Sequence, residues 1–343
     1  MKLLFFLISL GFLFQSCSTK TLKSQTKSTD NSTFRIAFGS CSDQDSANIL
    51  WKEITANQAA LWIWGGDLIY SEIKNIEHFR SAYQKQKKNA DYQEFLKKTK
   101  VLGTWDDHDY GVNDGGLENP KKELAQEIFL DFFDIPQNDP RRKQEGVYYS
   151  ELFEVGKNKS VNVILLDTRY FRSSLTLDKD SQKRYKSNEY GEGTMLGDKQ
   201  WKWLEKELTN SEADFNVIVS SIQFLSYLHR YETWGNMPHQ VDKMKALIRD
   251  SGAKGTFILS GDRHFSEISK TNVEGLAYPL YDFTSSGLTH TYSKTKDENP
   301  LRVSKLVNVK SFGLLKFNFE KKSVIMEMRG KKNILLDSFE AQF

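Results

Sequence analysis

Side chains that can bind metal ions follow directly on several short hydrophobic runs of this sequence. Cys41 ends the first run, Asp67 and Tyr70 follow the second, and Asp262 and His264 follow a later one. Runs rich in β-branched, aromatic and aliphatic residues that stop at glycine or small residues are typical of strands. In α/β sheets, ligands and catalytic groups collect outside the carboxyl ends of the strands. The sequence therefore predicts one metal centre assembled from distant parts of the chain.

A third hydrophobic run, at 101–102, leads into an unusually dense group of polar side chains. Residues 106–109 supply three carboxylates and one imidazole. Burying this much charge is costly unless cations are present. The alternative is an exposed acidic turn, but the preceding strand and Trp105 favour a segment that enters the core.

The two kinds of ligand in these segments suit different metals. Hard oxygen ligands suit Ca²⁺ or Mg²⁺, whereas thiolate, imidazole and phenolate suit a transition metal. We therefore expect a mixed site in which Asp67 bridges the two kinds of ion. The expected transition-metal ligands are Cys41, Tyr70 and His264, and the harder ion is expected near Asp107, Asn113 and Asp262.

The composition indicates a protein with a substantial core and argues against a nucleic-acid-binding module. The chain has 343 residues, of which 38% are hydrophobic, and a net charge of +3. This is long enough for a substantial core. Basic residues are interspersed with acidic ones rather than clustered, so a nucleic-acid-binding module is not expected. Nothing in the sequence implies a protein partner.

The N-terminus is predicted to be an export signal. The apolar stretch 3–14 is too short to span a membrane and has the length of a signal-peptide core. Small residues before Cys17 favour a lipoprotein signal over 1–16, lipidation of Cys17 and a polar, flexible tether over 17–32. We then expect export and attachment to the cell envelope by the lipid. The alternative is an ordinary secretory signal with an incidental cysteine.

The rest of the chain, 33–343, is predicted to be one α/β domain that ends in a mainly β segment. Helices are predicted over 43–55, 120–133, 196–208 and 238–249. Two long polar stretches, 173–195 and 287–301, are predicted to be loops, and such loops are often active-site walls.

Seven motifs in order carry a resemblance to a known family. They are Gly-Ser-Cys (39–41), Gly-Gly-Asp-Leu-Ile-Tyr (65–70), Trp-Asp-Asp-His-Asp-Tyr-Gly-x-Asn-Asp (105–114), Leu-Asp-Thr-Arg-Tyr-Phe-Arg (166–172), Leu-Gly-x-x-Gln-Trp-x-Trp-Leu (196–204), Ser-Ser-Ile-Gln-Phe (220–224) and Leu-Ser-Gly-Asp-Arg-His-Phe-x-Glu (259–267). This ordered set resembles the alkaline phosphatase D family of calcineurin-like metallophosphoesterases. The resemblance implies a four-layer α/β sandwich, in which two β-sheets pack face to face between helices.

The resemblance also implies an activity and metal ligands. It implies hydrolysis of phosphate monoesters or diesters by metal-activated hydroxide, with ferric iron and calcium. The residues that match iron ligands are Cys41, Asp67, Tyr70 and His264, with Asp67 as the bridge. Those that match calcium ligands are Asp107, Asp262 and Asn113.

Two further residues are candidates for direct roles in catalysis. His108 matches the family histidine that faces the substrate. Arg169 could hold a phosphate oxygen, but a salt bridge to a carboxylate such as Asp167 is an equal alternative. Other functions remain open: a diesterase for phospholipids or polymers, or a non-catalytic lipoprotein scaffold. All of the proposed ligand positions are occupied, which argues against the scaffold.

Overall fold

The computed structural model describes residues 24–25, 34–181 and 183–343. The predicted signal, the predicted lipidation site Cys17 and most of the predicted tether lie outside these residues. The strands are β1 (Ser24–Gln25), β2 (Phe34–Gly39), β3 (Leu61–Gly65), β4 (Lys100–Thr104), β5 (Tyr149–Gly156), β6 (Lys159–Leu165), β7 (Thr176–Leu177), β8 (Tyr185–Lys186), β9 (Phe215–Val219), β10 (Thr256–Ser260), β11 (Ser266–Thr271), β12 (Leu280–Ser285), β13 (Ser311–Asn318), β14 (Ser323–Gly330) and β15 (Leu335–Gln342). The helices are α1 (Trp51–Ala56), α2 (Ile76–Lys87), α3 (Ala90–Leu96), α4 (Asp107–Tyr110), α5 (Lys122–Phe132), α6 (Gly197–Thr209) and α7 (Pro238–Asp250).

Most strands belong to two mixed sheets. One has the order β1-β5-β6-β9-β10-β12-β11 and the other the order β15-β14-β13-β2-β3-β4. Within them, β2, β3 and β4 run parallel, and so do β6, β9, β10 and β12. The short pair β7–β8 lies within the predicted loop 173–195.

Alternation along the strands explains why the sheets form a four-layer sandwich. Successive side chains of a strand point to opposite faces. On β3, Leu61 and Ile63 enter a core shared with residues of the other sheet such as Val217 and Leu259. Trp62 and Trp64 point the other way, into a second core that they share with helices α1, α2, α3 and α5. The predicted face-to-face sandwich is thereby confirmed.

The opposite outer face completes the fourth layer. Ile164, Ile218 and Ile258 of the seven-stranded sheet pack against α6 and α7 through residues such as Trp201 and Met244. None of the helices in the described part of the chain has the length and apolar character needed to cross a membrane.

The strand ends of the two sheets meet closely at one edge. A Cβ atom on Gly261, just after β10, would lie 2.6 Å from the backbone oxygen of Gly65 and 2.6 Å from Ser40 Oγ. Only glycine permits this approach, because the two sheets touch through their backbones here. The hydroxyl of Ser285, at the end of β12, donates to the backbone oxygen of Phe38 at 3.4 Å. The loops after β2, β3, β10 and β12 are therefore held around one point.

The helix predicted over 43–55 is shorter in the structure, where α1 begins at Trp51. Side chains in the preceding segment bond locally to the backbone instead. Asp43 Oδ1 accepts the N–H of Asp45 at 2.9 Å, and Asn48 Oδ1 accepts the N–H of Leu50 at 3.0 Å. Such local bonds compete with helix formation.

Candidate metal centre

Four of the seven residues predicted to bind metal have strained backbone where they follow the strands. The φ angles are 60° for Cys41, 51° for Asp67, 67° for Asp262 and 55° for His264. Side chains other than glycine rarely adopt this left-handed region, and each instance costs about 1–3 kcal/mol. Surrounding contacts must therefore hold these residues in place. Strain of this kind is concentrated at functional sites.

The carboxylate of Asp67 is the meeting point of these loops. Its Oδ2 accepts hydrogen bonds from the Cys41 thiol at 3.4 Å and the Tyr70 hydroxyl at 3.1 Å. Its Oδ1 accepts a long hydrogen bond from the backbone N–H of His108 at 3.4 Å. One oxygen thus faces a thiol and a phenol, and the other faces the acidic segment.

A cluster of buried acids completes the other side. Asp67, Asp106 and Asp107 are buried, and each offers a carboxylate oxygen within 4.8 Å of the others. Burial, together with the charges of Asp107 and Asp106, raises the pKa of Asp67 well above its usual value. Burial raises the pKa of Asp106 to about 7. The metal-free cluster is therefore under electrostatic strain that a cation would relieve.

Asp107 differs from its neighbours in this cluster. Burial acts to raise its pKa, but the positive charges of His108 and Arg169 and the N–H of Asp114 outweigh it. The pKa of Asp107 consequently falls below its usual value. This carboxylate stays ionised, which is the state a metal ligand requires.

Asp106 Oδ2 and His264 Nδ1 are among the buried polar atoms that have no hydrogen-bond partner in the described part of the chain. Buried polar atoms are nearly always satisfied, so unpartnered ones call for an explanation such as an ion. Burial lowers the pKa of His264 to about 3, so its imidazole is neutral and able to coordinate. The residues present therefore fit metal cations.

Comparison with known proteins identifies the family. A model of PhoD-like phosphatases matches residues 36–338. The chain belongs to the PhoD-like phosphatase family. Alkaline phosphatase D of Bacillus subtilis (strain 168) is 22% identical over 302 residues, which cover 75% of this chain and 50% of that protein. The chain thus spans about half the length of this curated relative.

Solved structures support the same fold. The structure of PhoD superposes with a TM-score of 0.75 at 18% identity, covering 91% of this chain and 70% of that one. Purple acid phosphatase PPD1 from yellow lupin (Lupinus luteus) gives a TM-score of 0.59 at 10% identity, covering 91% of this chain and 54% of that one. A dimetal phosphatase from Danio rerio superposes with a TM-score of 0.57 at 12% identity, covering 91% of this chain and 99% of that one.

The PhoD-like chain brings together most of the residues predicted from its sequence. The backbone N–H of His264 donates to Ser286 Oγ at 2.7 Å, and that hydroxyl lies 3.0 Å from Cys41 Sγ. The rings of Tyr70 and His264 lie 6.3 Å apart. Asp262 is close enough to Asp67 for its charge to raise the pKa of that carboxyl further.

The expectation that Asn113 binds calcium is not supported by the structure. Asn113 is exposed, and its amide donates to Asp114 Oδ2 at 2.9 Å. The chain turns at Gly111, with φ of 82°, and again at Asp114, with φ of 48°. These turns direct the backbone N–H of Asp114 to Asp107 Oδ2 at 2.8 Å, so the loop contacts the cluster through its backbone.

For Arg169 the structure favours the salt-bridge alternative over contact with the substrate. Its side chain has no exposed surface, and its guanidinium forms ion pairs with Asp106 and Glu232. The Nε–H donates to Asp106 Oδ1 at 2.7 Å. The partners of this salt bridge are Asp106 and Glu232 rather than Asp167. From Arg169, the carboxylate of Asp167 accepts the backbone N–H, at 2.8 Å, and not the guanidinium. Arg169 fixes one oxygen of Asp106 and leaves Oδ2 free.

Asp109 is a structural part of the centre that the sequence analysis did not assign. Its Oδ1 accepts the N–H groups of Leu68 at 2.8 Å and Ile69 at 3.2 Å, and its Oδ2 accepts that of Asp106 at 2.9 Å. One carboxylate thus ties the loop after Asp67 to the loop that carries the acidic cluster. Asp106 and Asp109 lie within the motif 105–114, so the sequence offered a signal that both belong to the site. No motif pointed to Glu232.

The raised pKa values predict how the metal-free protein responds to pH. A carboxyl whose pKa is raised in the folded state does not destabilise the fold at a pH below its unfolded-state pKa. It destabilises the fold fully at a pH above its folded-state pKa. Above pH 7 the histidines are neutral in the unfolded chain, so only groups with raised pKa values, such as Asp67 and Asp262, still contribute. With chelator present, the free energy of unfolding should therefore fall between pH 7 and 9.

Denaturant titrations measure this directly, with Asp67→Asn as the matched variant. In chelator at pH 8, Asp67→Asn should be more stable than the wild type by on the order of 1–3 kcal/mol, because it removes a carboxyl that is costly to ionise. Added metal should stabilise the wild type far more than the variant. Wild-type stability that rises with pH over this range in chelator would show that the cluster is not strained.

Proposed function

We propose that the protein is a metal-dependent phosphoesterase that hydrolyses phosphate monoesters or diesters. The observation that carries the proposal is the position of Asp67, between a thiol and phenol on one side and buried carboxylates on the other. Membership of the PhoD-like phosphatase family supports it. The name of the Bacillus subtilis relative, alkaline phosphatase D, agrees with it.

The donor atoms support iron and calcium as the metals. Cys41, Tyr70 and His264 offer the thiolate, phenolate and imidazole that suit a ferric ion. Asp107 and Asp262 offer hard oxygens that suit calcium, and Asp67 has oxygens for both. When bound, such ions would lower the pKa of a water molecule and offset the charge of the phosphoryl oxygens.

The protein's own residues hold this arrangement and act on the substrate. Asp67 is fixed at the junction by Cys41, Tyr70 and the backbone of His108. The ring of His108 packs 4.2 Å from that of Tyr70 and is half-buried, so it can reach a substrate at the centre. We assign His108 to the leaving group, to which it would donate a proton or a hydrogen bond.

The location of the protein is a separate proposal that rests on its N-terminal sequence. The apolar stretch before Cys17 and the polar residues after it support export and lipid attachment to the cell envelope. The only other cysteine, Cys41, is buried beside Asp67. The two thiols therefore have different proposed tasks, anchoring and metal binding.

Activity and metal content test the central proposal together. Purified protein should contain iron and calcium and hydrolyse nitrophenyl phosphate, bis-nitrophenyl phosphate or both. Asp67→Asn should lose more activity and more metal than Tyr70→Phe or Asp107→Asn, because Asp67 serves both kinds of ion. A matched control is Tyr190→Phe, which removes a hydroxyl that bonds Asp242 on the surface. Metal-loaded wild type that hydrolyses no phosphate ester would favour a scaffold, and full activity with zinc alone would refute the metal assignment.

The role of His108 predicts a dependence on the leaving group. His108→Ala should lower kcat on alkyl phosphates by about 10²–10⁴-fold, because alkoxides need a proton to leave. Nitrophenyl esters, whose leaving group needs no proton, should lose much less. Metal content should be unchanged. Equal losses on both substrates would contradict the leaving-group role, and loss of metal would make His108 a ligand.

The two cysteines predict opposite phenotypes in fractionated cells. Cys17→Ala should move the protein from the membrane to the soluble fraction with normal activity. Cys41→Ser should stay with the membrane but lose iron and activity. A Cys17→Ala protein that remains in the membrane fraction would refute the anchor, and a fully active, iron-replete Cys41→Ser would refute the ligand assignment.

A further inference from the structure

Three segments border the metal centre on its solvent side, and we call them the rim. They are the β7–β8 hairpin (176–181 and 183–186), the loop 227–231 and the loop 287–301. The hydroxyl of Tyr185 in the hairpin donates to Asp114 Oδ2 at 2.7 Å, and the N–H of Asp114 donates to Asp107 Oδ2 at 2.8 Å. In the third segment, the ring of Tyr292 lies 4.4 Å from that of His264. The rim therefore contacts both sides of the centre.

The three segments also contact one another. The N–H of Arg184 in the hairpin donates to the backbone oxygen of Arg230 at 2.8 Å. Arg263 connects the other two segments, because its guanidinium lies 4.5 Å from the ring of Tyr231 and forms an ion pair with Asp297. The rim is therefore one continuous surface.

Each segment of the rim exposes a large apolar or aromatic side chain. These side chains are Leu177, Tyr227, Leu228 and Tyr292. Leu177 is 57% exposed and Leu228 is 42% exposed. A single exposed leucine is ordinary, but apolar groups on every segment of one continuous surface indicate an interaction site.

The rim also carries an excess of exposed cations. Its segments contain seven Lys and Arg residues but four Asp and Glu residues, whereas the numbers for the whole chain are 48 and 45. The exposed basic residues are Lys179, Lys183, Arg184, Lys186, Arg230, Lys294 and Lys296. Arg184 pairs with Asp114 and Lys186 with Asp180, and no described carboxylate forms an ion pair with the other five.

This combination of side chains fits a lipid surface better than a protein. Lysine is depleted at protein–protein interfaces, and five of the seven cations of the rim are lysines. At the surface of a bilayer, leucine and tyrosine side chains enter the boundary between headgroups and acyl chains, and lysines are attracted to anionic lipids. The charge of the rim is thus complementary to an anionic membrane.

The direction of β1 relates the N-terminal chain to the same edge of the sandwich. β5 is antiparallel to β6, and its first residue, Tyr149, pairs with Leu165 at the end of β6. Because β6, β9 and β10 are parallel, β6 ends at the edge that carries the metal centre. β1 is parallel to β5, with Ser24 beside Phe153. β1 therefore points away from the metal centre, so its first residue is the one nearer to that edge.

The length of chain before β1 limits how far the proposed anchor can lie from this edge. Cys17 precedes Ser24 by seven residues, which span at most about 25 Å. The part of β5 from Phe153 back to Tyr149 accounts for about 13 Å of this distance. A lipid on Cys17 can therefore reach the edge that carries the metal centre and can extend only about 12 Å beyond it.

We propose that the rim binds the surface of a membrane that contains anionic lipids, so that the metal centre of the anchored protein faces the bilayer. This inference rests on the proposed lipid attachment at Cys17 and goes beyond the proposed hydrolysis of phosphate esters. The apolar side chains of the rim enter the headgroup region, and its lysines contact lipid phosphates.

Fluorescent labels at two positions measure which face meets the membrane. Leu228→Cys places a thiol on the rim, and Lys157→Cys places one in the turn between β5 and β6, at the opposite edge. Cys41 is buried and Cys17 carries the proposed lipid, so the label attaches to the new thiol. The purified lipidated protein is bound to vesicles of phosphatidylglycerol and phosphatidylcholine that contain a nitroxide lipid as quencher. The label at position 228 should be quenched several-fold more strongly than the label at 157.

Charge variants test the complementarity with anionic lipid. Lys183→Glu combined with Lys294→Glu should reduce the quenching at position 228 several-fold, because it reverses two cations of the rim. Lys202→Glu combined with Lys206→Glu makes the same change of charge on helix α6, where both residues are exposed, and should leave the quenching unchanged. Vesicles of phosphatidylcholine alone should also quench the label at 228 less.

Four results would overturn the proposal. Equal quenching at the two positions would show that the anchored protein has no fixed orientation, and stronger quenching at 157 would show that the opposite edge faces the bilayer. An unchanged signal in the rim variant would show that its cations do not bind lipid. Protein that fails to float with the vesicles would refute the anchor, and the orientation with it. Failure of the proposed phosphoesterase function is distinguishable, because metal-loaded wild type would then hydrolyse no soluble ester while the quenching remained as expected.

Discussion

The buried carboxylate of Asp67 is the feature on which the rest of the site depends. It lies where the strand ends of two sheets meet, and each of its oxygens faces a different chemical environment. Without cations its burial among other acids is unfavourable, as the raised pKa shows. Cations bound beside this cluster would offset the repulsion between its carboxylates.

Holding such a site requires support from residues that do not touch the substrate. Asp109 ties together the backbones of two ligand loops through three N–H groups. Arg169 lies behind Asp106 and pairs it with Glu232, so a fully buried cation offsets part of the negative charge. Breaking a buried pair of this kind leaves an uncompensated charge, which is strongly destabilising. The strained backbone of Cys41, Asp67, Asp262 and His264 is sustained by these supports and by the close contact of the two sheets.

Much of this could be predicted from the sequence, for a clear physical reason. Alternating or wholly apolar runs that end in glycine mark strands and their carboxyl ends, and those ends are local features of the chain. The positions of Cys41, Asp67, Tyr70 and His264 after strands could therefore be predicted from their neighbours alone, and the structure brings these residues together. The sandwich itself followed from the resemblance carried by the ordered motifs. The polar-rich helices α2 and α3 and the half-exposed edge strand β15 were not predicted, because their apolar patterns are weak.

Asn113 and Arg169 show what local reasoning could not determine. The orientation of Asn113 depends on left-handed turns at Gly111 and Asp114, which set the register of the loop. The burial of Arg169 depends on Asp106 and Glu232, each 63 residues away in the chain. Long-range contacts decide such cases, and residue type and spacing do not encode them.

The claim that Asp67 joins two different cation sites can be tested most directly by anomalous X-ray diffraction from crystals of the metal-loaded protein. Data collected on both sides of the iron absorption edge separate iron from calcium. The account predicts an iron peak bounded by Cys41, Tyr70 and Asp67, and a second cation that does not respond to the iron edge beside Asp107, also in contact with Asp67. A single cation, or two cations of which only one contacts Asp67, would contradict it.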